Sequence, residues 1–454
     1  MFTLFSSKII SWSRSVRNRG PVLAVALSWI LTGGLSAQGT YYPPVDSDDW
    51  EAINPADLNW CADSISSLYS WLEDRDTKAF IVLQDGKIVL EEYFGSFQPD
   101  SLWLWASAGK TLTSFMIGQA QGDGRLQIGH PMADYLGRGW TSLPPEQEDS
   151  ISIEHGLTMT SGLDETIDGF CTDPECLQYK APAGSRWAYH NGPYTHLLSV
   201  LEEAYDTGIN ILTNQLLKQA TGMDGFWFPL GYNRIYFSTA RSMARFGWLI
   251  ANDGQWENQL LLDDSTYLHS MRQPSQDLNP SYGYLWWLNG QDAHMLPSDR
   301  TRYAGSLAPE APADAYFAVG ASSQIIAIHP STNRIVIRMG GNPDNSPIPA
   351  PTNFLREMHK RLESLDCSTV NIEEPEPLKL KLYPNPAQNQ LRWNSGNPLS
   401  QIRITHFSGL EYFFSSEELE EGILNISKLP VGVYRFQAIS TEGQVMSTSF
   451  VKVR

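Results

Sequence analysis

Residues Ala79–Leu83 and Lys87–Tyr93 read as strands, and so do Gln324–Ile328 and Arg334–Met339, more than two hundred residues further along the chain. Asp85-Gly86 joins the first pair and is a strong signal for a two-residue hairpin turn. The turn-like His329-Pro-Ser-Thr-Asn333 separates the second pair. Between them, from Ser107 to Leu249, helical patterns dominate, among them Ser107–Gln121, Thr195–Tyr205 and Thr239–Ile250. Further helices are predicted near Pro55–Trp71 and Asn353–Leu365, outside the two strand pairs. Strands at both ends with helices between them predict an α+β fold, in which one sheet is built from the two chain ends around a helical insertion.

The rest of the 454 residues divides around this unit. Residues 1–37 carry Lys8, Arg14, Arg17 and Arg19, then the apolar run Pro21–Thr32 and Leu35-Ser36-Ala37, which reads as an export signal. The run is too short to span a bilayer, which takes about 20 apolar residues. Residues 368–378, with Glu373-Glu-Pro-Glu-Pro377, read as a linker. Beyond it, Leu378/Leu380/Leu382 and Tyr434/Phe436/Ala438 alternate with period two, and Pro384-Asn-Pro386 and Ser408-Gly409 mark turns, so residues 379–454 are predicted to form a small all-β module. Residues 38–367 are then the main domain. The acidity behind the formal charge of −18 belongs there, at −21, since the first 37 residues carry +4 and residues 368–454 carry −1. Such acidity disfavours nucleic acid or an anionic membrane as partner. The mature form is predicted to carry no transmembrane segment. Four cysteines, Cys61, Cys171, Cys176 and Cys367, suit disulfides in an exported chain and allow three connectivities; zinc spacing is lacking, and no metal or cofactor is predicted.

The chemistry starts at Ser107-Ala-Gly-Lys110. Residues i and i+3 of a helix share a face, so a hydroxyl and an amine would meet. A serine needs an adjacent base, and a desolvated lysine serves as one. The spacing alone is weak. It recurs at Ser449-Phe-Val-Lys452, in a strand-like stretch where i and i+3 point to opposite faces and cannot pair. Two other elements add weight. Tyr189-His-Asn191 supplies a phenol able to act as base or proton relay and an amide able to hold a substrate carbonyl. Tyr316-Phe-Ala-Val-Gly320, ahead of a strand, could offer a backbone N–H to an oxyanion. Trp103, Trp105, Trp187, Trp286 and Trp287 are either core residues or the walls of a cleft. No Gly-x-Ser-x-Gly elbow and no His-Glu-x-x-His occurs.

This arrangement resembles the serine β-lactamase, penicillin-binding protein and class C-like esterase superfamily. The resemblance extends to Gly122-Asp-Gly-Arg-Leu126, His155-Gly-Leu-Thr-Met-Thr-Ser-Gly-Leu163, Ala240-Arg-Ser-Met-Ala-Arg-Phe-Gly247 and Tyr282-Gly-Tyr-Leu-Trp-Trp287, over about residues 60–365. It implies the β-lactamase/transpeptidase-like fold, with Ser107 as acylated nucleophile, Lys110 and Tyr189 as bases and Asn191 as substrate-binding residue. The N–H groups of Ser107 and Ala318 would form the oxyanion hole. It also implies that the first and last helices pack side by side, which would pair Cys61 with Cys367 and leave Cys171 with Cys176. One departure stands out. Where the family places Lys or His, then Thr or Ser, then Gly, the stretch aligned here is Ala315-Tyr-Phe317, without a cation, as in the esterase and amide-hydrolase branches.

The tail, with Leu382-Tyr-Pro-Asn-Pro-Ala387, Asn425-Ile-Ser-Lys-Leu-Pro-Val-Gly-Val-Tyr434 and Phe450-Val-Lys-Val-Arg454, resembles the sorting domain of type IX secretion, which implies that secretion machinery as partner and a secreted or cell-surface location. The reading as a whole is a secreted serine hydrolase acting on a small ester, amide or peptide-like substrate. The alternatives are a silent relative that binds peptides or glycans, and a true β-lactamase or D-alanyl carboxypeptidase.

Overall fold

A computed structural model of the chain describes residues 40–297, 299–343, 352–367, 380–394, 399–406, 411–415, 422–440 and 445–453. The export signal expected at 1–37 and the linker at 368–378 lie outside the described residues.

The main sheet has six antiparallel strands. They are β1 (Thr77–Gln84), β2 (Lys87–Tyr93), β3 (Trp287–Leu288), β4 (Tyr316–Gly320), β5 (Gln324–His329) and β6 (Arg334–Gly340), in the spatial order β2-β1-β6-β5-β4-β3. The two chain ends therefore meet where β1 pairs with β6, Ile81 opposite Ile337. Asp85 and Gly86 both take positive φ, 53° and 81°, as the tight hairpin requires.

Both faces of this sheet are covered, which explains why β5 and β6 are buried almost throughout and carry the unbroken apolar runs Ile325–Ile328 and Ile335–Ile337. On β6, Ile335 and Ile337 point to one face and Arg338 to the other. Helix α4 (Ala240–Ala251) lies over the isoleucines, and Gly247 lets it come close: a Cβ there would sit 2.8 Å from Ile335 Cγ2. Helices α1 (Ala62–Glu73) and α5 (Thr352–Glu363) pack together on the opposite side, Trp71 stacking on Phe354 with centroids 4.8 Å apart. Cys61 and Cys367 close this pair with a disulfide, Cα atoms 5.8 Å apart, and Cys171 bonds Cys176.

The insertion supplies α2 (Lys110–Gly122) and α3 (Asn191–Tyr205). Helix α2 begins three residues later than the sequence pattern predicts, because Ala106–Gly109 forms a 3₁₀ turn ahead of it. Among the described residues, the tail makes a separate all-β unit of two sheets, one of three strands and one of four. Its core is its own: Leu391, Ile402, Ile404, Leu424, Tyr434, Phe436 and Phe450. Ser449 is exposed there and Lys452 is buried, the opposite faces that a strand dictates.

Candidate active site

Trp105 fixes the turn that carries Ser107. Its indole is fully buried, its Nε1 donates to Ser238 Oγ at 2.7 Å, and its backbone N–H donates to Tyr236 O at 2.8 Å. Ala106 follows in the left-handed region at φ 46°, an outlier for a residue with a Cβ and one of the strained positions that cluster at functional sites. The 3₁₀ turn then places residues i and i+3 almost in line, so the Lys110 side chain returns to Ser107. Lys110 Nζ lies 3.1 Å from Ser107 Oγ and donates to Asn191 Oδ1 at 2.9 Å. The Tyr194 ring lies under the amine with its centroid 4.1 Å away, and the Tyr189 ring is at 5.2 Å. Burial pulls the Lys110 amine down to about 7. Burial pushes the Tyr189 phenol well above its usual range, only partly offset by its hydrogen bond with Ser107.

These groups open into a cavity of about 180 Å³ whose walls include Ser107, Tyr189, Asn191, Trp287, Val319 and Ala321, with Phe170, Leu307 and Leu355 adding apolar surface. Trp287 stacks on Tyr189, the rings inclined by 13°. Of the five tryptophans singled out in the sequence it is the one in the wall: Trp105, Trp187 and Trp286 are core residues, and Trp103 donates to Gly340 O. Glu165 also reaches the cavity. Burial acts to raise its carboxyl, but the Arg186 guanidinium at 2.7 Å, a backbone hydrogen bond and the charge of Arg300 together outweigh this and the net shift is downward.

The structure thus brings Ser107, Lys110, Tyr189 and Asn191 together, but not Ala318. Ala315 O accepts from Asn289 N on the β3 side of β4. Alternate residues of a strand turn their N–H and C=O to opposite edges, so Phe317 and Val319 face that side while Ala318 faces β5 and pairs with Ile326. Ala318 is buried and lines no part of the cavity. The residue that meets the serine turn is Gly320, two positions beyond Ala318. A Cβ on Gly320 would lie 2.4 Å from Trp105 O and 3.0 Å from Ala108 N, which leaves room only for glycine. The end of β4 that reaches the serine turn is therefore Ala318-Val-Gly320 rather than Ala315-Tyr-Phe317, and it too carries no cation.

Tyr194 was not singled out in the sequence, although its spacing of three from Asn191 along α3 was a usable signal. Glu165 and Phe170 carried none, because they lie in an irregular loop. Among the described residues, no group of three or more His, Cys, Asp or Glu side chains could hold a metal ion.

The family model described as Beta-lactamase matches residues 72–341, more than half of the chain. The chain belongs to the beta-lactamase family. A second model, the secretion system C-terminal sorting domain, matches residues 381–452, so this beta-lactamase family member is secreted or cell-surface. The chain is 30% identical over 129 residues to the 6-aminohexanoate-dimer hydrolase of Paenarthrobacter ureafaciens; this match covers 28% of the chain and only 32% of that relative's length. A 6-aminohexanoate-dimer hydrolase candidate from Bacillus anthracis superposes with TM-score 0.53 at 17% identity, over 72% of this chain and 91% of the other. A beta-lactamase/D-alanine carboxypeptidase from Yersinia pestis gives 0.50 at 16% identity, over 68% and 99%. Both structures establish the β-lactamase/transpeptidase-like fold of the main domain. Among the described residues, no helix is long and apolar enough to cross a membrane.

Proposed function

We propose that residues 38–367 form a secreted serine hydrolase that cleaves ester or linear amide bonds through an acyl-enzyme on Ser107. The observation that carries this reading is a buried amine, titrating near 7, within 3.1 Å of a serine hydroxyl at a cavity wall. At neutral pH a large share of Lys110 is the free amine. Asn191 Oδ1 takes one amine hydrogen, which aims the nitrogen lone pair at the Ser107 O–H.

Lys110 accepts the Ser107 proton as Oγ bonds to the substrate carbonyl carbon, and the carbonyl oxygen becomes an oxyanion. The N–H groups of Ser107 and Ala321 receive that oxyanion; Ala321 replaces Ala318 because its N–H follows the extended Gly320 and points away from β5. The C–O or C–N bond then breaks, and the leaving group takes the proton that Lys110 holds, relayed through Tyr189. Tyr189 is a relay and not a second base, because burial keeps its phenol protonated. Water then attacks the ester carbonyl and loses a proton to Lys110; the bond from the carbonyl carbon to Oγ breaks, the acid product leaves, and the proton on Lys110 passes to Ser107 Oγ, restoring the hydroxyl.

The apolar wall, with no cation at 318–320, suits an uncharged acyl group better than the carboxylate of a β-lactam. A 6-aminohexanoate-dimer hydrolase stands among its relatives, and a linear dimer of that amino acid is joined by an open amide rather than a β-lactam. A panel of short aryl esters, linear amide oligomers, D-aminoacyl anilides and a chromogenic cephalosporin tests the substrate class. Ester or linear-amide kcat/KM is expected to exceed that for cephalosporin by at least about 100-fold, a difference of roughly 3 kcal/mol in transition-state binding. Cephalosporin as the preferred substrate would reverse the assignment.

A further inference from the structure

The turn from β4 to β5 is held in an unfavourable conformation. Ser322 and Ser323 both have φ 59°, where a side chain crowds the backbone. Two such residues in succession persist only where their surroundings impose them. Two buried side chains do so here. Arg338, on β6, has no exposed surface, and its guanidinium donates to the carbonyls of Ser322, Ser323, Gly341 and Arg75 and to Thr77 Oγ1. Its Cζ lies 4.9 Å from the centroid of the Phe354 ring on α5. Gln324 approaches from the strand side. Its Nε2 donates to Ala321 O at 3.2 Å, Ser322 O at 3.3 Å and Gly340 O at 2.6 Å, while its Oε1 accepts from Gly340 N.

We infer that Arg338, assisted by Gln324, is a positioning residue for the oxyanion hole. The two side chains fix the carbonyls of Ala321, Ser322 and Ser323, and so set where the Ala321 N–H points. The effect reaches Ser107 over a short path, since Gly320 is already pressed against the serine turn. An arginine suits the task because its planar fork holds several carbonyls at fixed angles and stays charged at every working pH. A lysine offers one freely rotating point of donation. The inference rests on the acyl-enzyme reading and adds to it a residue that lines no part of the cavity.

The test uses the full chain, an aryl ester that the enzyme turns over, and a boronic acid that forms a tetrahedral adduct with the nucleophilic serine. Deleting an oxyanion donor outright lowers kcat by about 10²–10³-fold, so a displaced donor is expected to lower it by about tenfold or more. Arg338→Lys should show that fall in kcat with KM changed less than about threefold, the boronate weakened in parallel with kcat as transition-state complementarity requires. The pH midpoint of kcat/KM should stay at the wild-type value, because Lys110 is untouched. Ser322→Gly relieves the φ strain and folds without difficulty; loosening the turn should lower its kcat several-fold while its melting temperature holds or rises. It decides the matter should Arg338→Lys fold poorly. Folded variants of both kinds with wild-type kcat and boronate affinity would overturn the inference while leaving the acyl-enzyme reading intact. A wild type whose turnover survives Ser107→Ala would instead remove that reading, and this one with it.

Discussion

Lys110 carries most of the consequences at the scale of single residues. Burial lowers the amine to about 7, against 10.5 for a free lysine, and the proposed role of the free amine as base then predicts that kcat/KM rises with pH through about 7 and levels. The sign for stability follows from the same shift. Below about pH 7 the folded protein carries the whole cost of burying the charged amine. Between about 7 and 10.5 the unfolded chain binds the extra proton, so this cost fades as pH rises. Lys110→Met should therefore lose about 10²–10⁴-fold in kcat/KM, yet melt higher than wild type at pH 6, by a margin that narrows towards pH 10. A Lys110→Met enzyme that keeps its rate, or a profile flat between pH 5 and 9, would contradict the role given to the amine. The Ser107–Lys110 pair was legible in the sequence because i, i+3 spacing survives the change from α-helix to 3₁₀ turn. Ala318 was misread because the edge a backbone N–H faces depends on how β4 pairs with β3 and β5, and three residues of slip reverse that parity.

At the scale of elements, period and turn chemistry carried the reading. The β1–β2 hairpin, β5, β6 and α5 fall within a residue or two of their sequence patterns, since each is long or bounded by a clear turn. The 3₁₀ turn before α2 left no mark on the apolar pattern. Nor did β3, two residues long and held by tertiary pairing alone. The helix pair α1–α5 is joined at its ends by backbone bonds, Cys61 N to Leu365 O and Cys367 N to Asn59 O, both 2.9 Å, and by the disulfide beside them. That bridge links residues 306 apart, and in the chain-entropy model loops this long stabilise by roughly 3–5 kcal/mol. The double variant Cys61→Ser/Cys367→Ser should show a lower denaturant midpoint by urea unfolding, with kcat changed little because Ser107 and Lys110 lie on other elements. An unchanged midpoint would mean that the bridge adds nothing to the backbone zipper.

At the scale of the molecule, two hydrophobic cores divide the described residues: one under the six-stranded sheet and its helices, the other inside the tail. The sorting domain accounts for the tail, and all the groups assigned to acyl transfer lie between Ser107 and Ala321. The sequence changes period across an acidic, proline-containing stretch, whereas the chemical identity of the acyl group is written in cavity walls drawn from eight separate segments. The central claim is that Ser107 becomes acylated. Treating the full chain, and the chain ended at Cys367, with a fluorophosphonate probe and mapping the added mass by peptide analysis tests it most directly. The mass should appear on the Ser107 peptide in both proteins and be absent after Ser107→Ala. Labelling that persists in Ser107→Ala, or that falls on another serine, would contradict the account.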